Sequence, residues 1–147
     1  MSSLTSMRRH AAKWYDKAAD LSSLEGDYYI AVASYERAAD LYLNGKYRND
    51  AAVRKIWFKA GLCALATKDL VTAQRNVQTY READPGFGNQ RGCQLLVDLM
   101  EAIGAGDQEA FTQKLHVYDQ MTPLTPWEAA ILVKIKGQIE EPDNEFA

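Results

Sequence analysis

The stretch Arg54–Phe87, RKIWFKAGLCALATKDLVTAQRNVQTYREADPGF, predicts two helices joined by a turn. Small and aromatic residues in its first half recur at steps of three and four: Trp57, Ala60, Gly61 and Ala64. A second set follows Asp69 with similar spacing: Ala73, Val77 and Tyr80. Such spacing places each set on one helical face. Asp69 is a suitable helix N-cap and Pro85 ends the second helix, so the stretch predicts a helical hairpin.

Two further copies of this pattern start at Asp27 and Asp107. The first is followed by Ala31, Tyr35 and Ala38, and the second by Phe111, Leu115 and Tyr118. The three aspartates recur at intervals of 42 and 38 residues, longer than the roughly 34 of a tetratricopeptide repeat. The sequence therefore predicts an all-α fold, a tetratricopeptide-like right-handed stack of antiparallel helix hairpins forming an α–α superhelix. Such stacks provide binding surfaces.

Hydrophobic periodicity and helix-ending signals predict about seven helices. Their bounds are 4–24, 27–44, 50–67, 69–83, 89–103, 107–120 and 126–140. Asn44-Gly45 is expected to end the second helix with left-handed backbone, and Thr125-Pro126-Trp127-Glu128 to start the last with a capping box. We expect residues 1–140 to form a single helical-repeat domain and the proline-broken, acidic residues 141–147 to be a flexible C-terminal tail.

The composition is ordinary for a soluble globular protein. The chain has 147 residues, 47% of them hydrophobic and 25% charged, and a formal net charge of −3, so general attraction to nucleic acid is not expected. Cys63 and Cys93 lie in apolar helical faces and are predicted to be buried thiols. His10 and His116 are far apart without ligand spacing, so we expect no metal and no other cofactor. No pattern of residues indicates a catalytic site.

From about Glu25 to its end the sequence resembles the C-terminal half of the soluble NSF attachment protein (SNAP) family, closest to the alpha type. Short matching segments follow one another in the same order as in the family. They are Phe58-Lys59-Ala60-Gly61-Leu62-Cys63, Val77-Gln78-Thr79-Tyr80, Pro85-Gly86-Phe87, Cys93, Leu99-Met100-Glu101-Ala102, Val117-Tyr118-Asp119, Trp127 and Leu132-Val133-Lys134-Ile135-Lys136. The half of the family that precedes this region, including its apolar membrane-contacting loop, is not matched.

The resemblance implies a non-enzymatic adaptor of vesicle trafficking. It would bind the SNARE four-helix bundle and recruit or stimulate the N-ethylmaleimide-sensitive fusion ATPase, through the N-domain of that enzyme, for SNARE disassembly. It would be cytoplasmic and reach membranes peripherally through SNARE complexes. Two alternatives remain open: a generic tetratricopeptide-type scaffold for protein–protein interaction, and a truncated, inhibitory fragment of the family that binds one partner without bridging two.

The resemblance also implies two charged surfaces. On the SNARE side, Arg54 and Arg91 match basic positions of the family, and Lys55 and Lys59 lie nearby on the helix of Arg54. On the ATPase side the expected residues are Asp69, Glu101, Asp107, Glu145 and Phe146. Asp107 would compensate for two family acids that Gly104 and Ala105 replace, although it is also an expected helix cap. Phe146 occupies the penultimate position where the family has leucine.

A scaffold that captures the C-terminal carboxylate of a peptide requires basic and amide side chains on the first helix of a repeat. The corresponding positions in the first repeat are Asp16 and Asp20, whose charge has the wrong sign. This observation favours the adaptor over a carboxylate-binding scaffold.

Overall fold

The computed structural model describes residues 2–45 and 48–140, and the regular structure within these ranges is α-helical. The eight helices are α1 (Ser2–Leu24), α2 (Tyr28–Leu43), α3 (Asp50–Ala66), α4 (Leu70–Ala83), α5 (Pro85–Gly88), α6 (Arg91–Gly104), α7 (Gln108–Met121) and α8 (Pro126–Gly137). The predicted all-α class is confirmed. The predicted number is one too low because the short α5 was not foreseen.

The chain divides into two compact units between Thr67 and Lys68. In unit 1, α1 packs against α2 and α2 against α3. In unit 2, α4 contacts α5 and α6, α6 packs against α7, and α7 contacts α8. Within the units, α1–α2 and α6–α7 are helix pairs of the predicted kind. The hairpin predicted for residues 54–87 corresponds to α3 and α4, which belong to different units, so it stays a prediction. That residues 1–140 form a single domain stays a prediction, and the expected tail at 141–147 lies outside the described residues.

The core of unit 1 is built largely from small residues around a few large ones. Small side chains let helix backbones approach closely, and the larger ones fill the space that remains. The buried residues include Ala12, Ala19, Ala31, Tyr35, Ala38, Ala39, Val53, Ile56, Trp57, Ala60, Leu62 and Cys63. Trp57 therefore has the packing role that its position in the repeat predicts.

The core of unit 2 contains larger aliphatic and aromatic side chains. Its buried residues include Ala73, Val77, Tyr80, Phe87, Cys93, Leu96, Leu99, Phe111, Tyr118, Leu132 and Ile135. In α8, Ile131 and Ile135 are buried and Trp127 is half-buried, and Ile139 is buried just beyond the end of this helix. Thr125 and Glu128 form the predicted reciprocal capping box at the start of α8.

Three of the turns between helices have the same backbone geometry. Each capping aspartate follows a residue with positive φ: Gly26 (84°), Lys68 (69°) and Gly106 (65°). At the third turn the Gly106 N–H donates to the Ile103 carbonyl, and the Asp107 N–H donates to the Ala102 carbonyl. This is the Schellman arrangement. One residue with left-handed backbone turns the chain so that the next N–H groups can donate to the last carbonyls of the helix.

The aspartate that follows the left-handed residue begins the next helix. The Asp69 carboxylate accepts from the Thr72 N–H at 3.1 Å and from the Thr72 hydroxyl at 2.7 Å, and that of Asp107 accepts from the Ala110 N–H at 2.9 Å. Both predicted caps are confirmed. Asp27 occupies the N-cap position of α2, but its side chain makes no capping hydrogen bond, so only its backbone serves there.

One local prediction was wrong and another was incomplete. Asn44 ends α2 with φ −96°, not with left-handed geometry. Its carbonyl instead accepts from the Arg8 guanidinium at 3.0 Å, so α1 satisfies the end of α2. Pro85 does not only end α4. It is the first residue of α5, where the Asp84 carboxylate accepts from the Gly86 N–H and buried Phe87 packs edge-on against Tyr80 with ring centroids 6.1 Å apart.

At the left-handed position of these turns, adding a Cβ should destabilise the protein and removing one should stabilise it. Gly106→Ala should lower the free energy of unfolding by about 1 kcal/mol, because a Cβ is strained at positive φ. Lys68→Gly should raise it by about 0.5–1 kcal/mol, because it removes the same strain. Urea unfolding followed by circular dichroism measures both changes.

The matched control is Gly137→Ala. Gly137 has negative-φ helical backbone, and a Cβ added there meets nothing within 4 Å. Helix propensity alone then predicts a gain of roughly 0.5–1 kcal/mol. If Gly106→Ala stabilised the protein as Gly137→Ala does, the left-handed turn would not be a structural requirement.

Candidate protein-binding surfaces

Lys59, one of the residues expected on the SNARE side, is held inside unit 1. Every residue of α3 from Ile56 to Ala66 except Lys59 is buried. Its ammonium donates to the carboxylates of Asp16 at 2.7 Å and Asp20 at 3.0 Å, and its side chain is 21% exposed. The ammonium also lies 5.0 Å from the centre of the Tyr35 ring, and the Tyr35 hydroxyl donates to Asp20. Lys59 thus connects α3 to α1 and α2.

The protonation states of this cluster follow from its environment. Burial lowers the pKa of Lys59, but the hydrogen bonds and negative charges of Asp16 and Asp20 outweigh that effect and leave the pKa above 10.5. Burial, followed by the hydrogen bond to Asp20, raises the pKa of Tyr35. Burial, followed by the charge of Asp20, raises the pKa of the Cys63 thiol to about 12. At neutral pH the cluster therefore contains an ammonium, a neutral phenol and a neutral thiol.

Arg54 and Lys55 lie at the start of α3, before its fully buried part. Lys55 is exposed, whereas Arg54 is half-buried and engaged in interactions with neighbouring residues. Lys59 follows Lys55 by about one helical turn on the same helix. Of the three basic residues predicted on this helix, Lys55 therefore presents its charge most openly to solvent.

Arg91 begins α6 and connects it to the end of α7. Its guanidinium donates to the Thr122 hydroxyl at 2.7 Å and to the Tyr118 carbonyl at 3.4 Å, and it lies 5.4 Å from the centre of the Tyr118 ring. A cation beside the last carbonyls of a helix is favoured by the helix dipole. Arg91 is exposed, but its position is fixed by these contacts within unit 2.

Three acids expected on the ATPase side lie near one end of unit 2. Asp69 and Asp107 precede α4 and α7, and Glu101 is exposed in the last turn of α6. The end of α6 lies against the start of α4, since a Cβ added at Gly104 would be 3.4 Å from Leu70 Cδ2. Hydrogen bonds to Thr72 lower the pKa of Asp69. The remaining two expected residues, Glu145 and Phe146, lie outside the described residues.

A groove of about 370 Å³ runs between α4 and α6 next to this acidic end. Its lining mixes apolar and polar side chains: Gln74, Val77, Gln78, Arg81, Val97, Met100 and Glu101. Glu101 thus belongs both to the groove and to the acidic end.

The described ranges, 2–45 and 48–140, contain both cysteines and both histidines of the chain. Cys63 and Cys93 are buried free thiols, as predicted. No group of three or more His, Cys, Asp or Glu side chains in these ranges is arranged to hold a metal ion. None of the helices described there has the length and apolar character needed to cross a membrane.

The pairing of Lys59 with Asp16 and Asp20 is what the sequence reasoning missed. The residues are 43 and 39 positions apart, so no local pattern joins them. A signal was nonetheless present. Lys59 is the one charged residue in the run Ile56–Ala66, and a charge in a buried helix requires a partner. Asp16 and Asp20, at i and i+4, share the helical face that supplies it.

The fold and these charged surfaces are typical of the helical-repeat class, whose stacked helices present binding surfaces. Comparison with known sequences specifies the family. The family model described as "Soluble NSF attachment protein, SNAP" matches residues 5–140. The chain therefore belongs to the SNAP family, as the resemblance in its sequence indicates.

Individual relatives agree with the family match. A protein of Neurospora crassa named "Probable vesicular-fusion protein sec17 homolog" is 45% identical over 93% of this chain and 51% of its own length. The "Alpha-soluble NSF attachment protein" of Saccharomyces cerevisiae is 31% identical over 91% of this chain and 46% of its own. The human protein of that name is 29% identical over 81% of this chain and 42% of its own length. The chain spans about half the length of the curated relatives it matches.

The contacts of Lys59 predict that it stabilises unit 1. Lys59→Met should lower the free energy of unfolding by about 2 kcal/mol, because it leaves two partly buried carboxylates without their cation. Lys55→Met, one turn earlier and exposed, is the matched control and should change it by less than about 0.5 kcal/mol. Urea unfolding measures both. Equal stability of the two variants would contradict the structural role of Lys59.

Proposed function

We propose that the chain is a non-enzymatic adaptor of vesicle fusion that joins a SNARE bundle to the N-ethylmaleimide-sensitive fusion ATPase. The observation that carries this proposal is the SNAP-family match across residues 5–140. The charged surfaces support it, because a helical adaptor acts by presenting binding sites while the ATPase supplies the energy. Association with membranes is then peripheral and depends on the cytoplasmic parts of its partners.

The ATPase would bind the acidic end of unit 2, formed by Asp69, Glu101 and Asp107. Exposed carboxylates on one end of a domain attract a basic patch over distances comparable to the Debye length, and they orient the encounter. Asp69 and Asp107 are held in place by their capping hydrogen bonds. We include Glu145 and Phe146 of the chain terminus in this surface on the family resemblance alone.

The SNARE bundle would bind near the start of α3, where we assign direct contacts to Lys55 and Arg54. We assign Lys59 and Arg91 a supporting role. Their cationic groups are bound to Asp16, Asp20, Thr122 and Tyr118, so a partner would have to compete with these contacts. The acidic surface expected of a SNARE bundle complements the exposed cation of Lys55 first, with Arg54 beside it on the same helix.

A scaffold that grips a peptide carboxylate is disfavoured by a specific contact. Asp16 and Asp20 occupy the positions that would bind the carboxylate, and they neutralise Lys59 rather than offering donors. A fragment that binds one partner and inhibits disassembly makes the same first contact as the adaptor. The two differ in whether both partners bind at once, and experiments with each partner separately and together distinguish them.

Charge removal at the acidic end should weaken binding of the ATPase N-domain. The triple variant Asp69→Asn, Glu101→Gln, Asp107→Asn keeps capping oxygens at both helix starts, because asparagine is as good an N-cap as aspartate. We expect roughly tenfold weaker binding and a flatter salt dependence, measured by titration calorimetry at two salt concentrations.

The matched control for the acidic end removes Glu82 and Asp98, which lie on exposed or half-exposed faces of α4 and α6. Glu82→Gln with Asp98→Asn should leave the affinity within about twofold. Equal loss in the triple variant and this control would show that only net charge matters, and the proposed surface would then be wrong.

Charge removal at the start of α3 should reduce capture of a SNARE bundle without affecting the ATPase. The double variant Arg54→Gln, Lys55→Gln should bind an immobilised SNARE bundle about fivefold more weakly. The double variant Arg75→Gln, Lys114→Gln removes two exposed cations from unit 2 and should bind normally. Full binding by the α3 variant would refute the assignment, and binding of neither partner by the unaltered chain would refute the adaptor.

A further inference from the structure

A basic pocket at one end of unit 1 has no part in the surfaces described above. It lies where the first half of α1, the end of α2 and the start of α3 meet, and its volume is about 440 Å³. Its lining residues are Thr5, Arg8, Arg9, Lys13, Leu41, Tyr42, Gly45, Arg48 and Asn49. Such a volume lies within the range of small-molecule sites.

Four of these lining residues are cations, and none of the described residues around the pocket is acidic. The sequence contributes to this bias, because Arg8, Arg9 and Lys13 precede the first acidic residue of the chain, Asp16. Because Asp50 offsets the charge of Arg48, the pocket has a net excess of about three positive charges, although the net charge of the chain is −3. Cations in a concave site attract and hold anions more strongly than the same cations dispersed on a surface.

Two acids near the pocket are each paired with a cation, and one of these cations, Arg48, belongs to the pocket. Asp50 accepts from Arg48 Nε at 2.5 Å, and Asp16 accepts from Lys59. Arg8 donates one N–H of Nη1 to the Asn44 carbonyl. Since a guanidinium carries five N–H groups in a planar fork, one fixed contact orients the group and leaves further donors for a ligand.

The pocket also contains two hydroxyl groups, of Thr5 and Tyr42, and the N-terminus of α3. Burial raises the pKa of Tyr42; the charge of Asp16 adds to this rise and that of Arg9 opposes it. The Tyr42 hydroxyl therefore stays protonated at neutral pH and can donate, as can the Thr5 hydroxyl. Asn49 is the N-cap of α3, so the positive end of that helix dipole also faces this corner of unit 1.

We propose that this pocket binds a compact polyanion with two or more phosphate groups, namely an inositol polyphosphate, either free or as the headgroup of a lipid. Three guanidinium groups suit phosphate oxygens, which they bind in bidentate fashion. The concavity favours a compact ligand over an acidic protein helix, whose diameter of about 10–12 Å does not enter a pocket of this size.

The test uses the whole chain with inositol hexakisphosphate in titration calorimetry. The double variant Arg9→Gln, Lys13→Gln should bind at least about tenfold more weakly, because two charge-assisted contacts are lost. Circular dichroism confirms that the variant is folded. The double variant Arg75→Gln, Lys114→Gln removes the same charge from unit 2 and should bind within about twofold of the unaltered chain.

A second arm identifies the source of the phosphate. Co-sedimentation uses phosphatidylcholine vesicles with and without phosphatidylinositol bisphosphate. Binding to the loaded vesicles, reversed by soluble inositol hexakisphosphate, assigns the pocket to a lipid headgroup; binding of the soluble compound alone assigns it to a free inositol phosphate. The proposal is overturned if neither binds, if both double variants lose affinity equally, or if polyglutamate binds as tightly as the phosphate compound.

Discussion

The fold depends on three turns in which three residues separate the end of one helix from the start of the next. A left-handed residue closes the carbonyls of one helix, and the aspartate after it begins another, at Gly26-Asp27, Lys68-Asp69 and Gly106-Asp107. Because the same residue pair ends one helix and starts the next, few orphan backbone groups remain at the turn. Long helices can then pack as neighbours in sequence order, which is how both units are built. Lysine at the second turn shows that this geometry is kept even where the residue does not favour it.

The charged residues of this protein fall into two groups, and the distinction determines which of them are available to partners. Lys59 and Arg91 have structural contacts on several sides, whereas Lys55 and Glu101 are exposed. A charge that already has a carboxylate or carbonyl partner contributes less to a new interface, because binding must first replace that contact. The family resemblance identifies positions by sequence alone and does not separate these groups. Only the contacts that each side chain makes in the structure separate the two groups.

The sequence predicted most of the fold because its strongest signals are local. Helical periodicity, the caps at Asp69 and Asp107, and the capping box at Thr125 all act within a few residues. The errors are also instructive. The single turn Pro85–Gly88 is too short for periodicity to reveal, and the end of α2 is completed by Arg8 from another helix. The ion cluster of Lys59 and the basic pocket join residues far apart in the chain, so no local pattern predicts them.

A net charge of −3 conceals strong local differences. Unit 1 has a corner with four cations, and unit 2 has an end with three acids on separate helices. At physiological salt the Debye length is about 8 Å, so an approaching ligand responds to the nearest cluster and hardly to the total charge. Ligands of opposite sign can therefore be attracted by one small protein at the same ionic strength. For the proposed adaptor role this matters more than net charge, because an adaptor would have to bind chemically different partners without exchanging their sites.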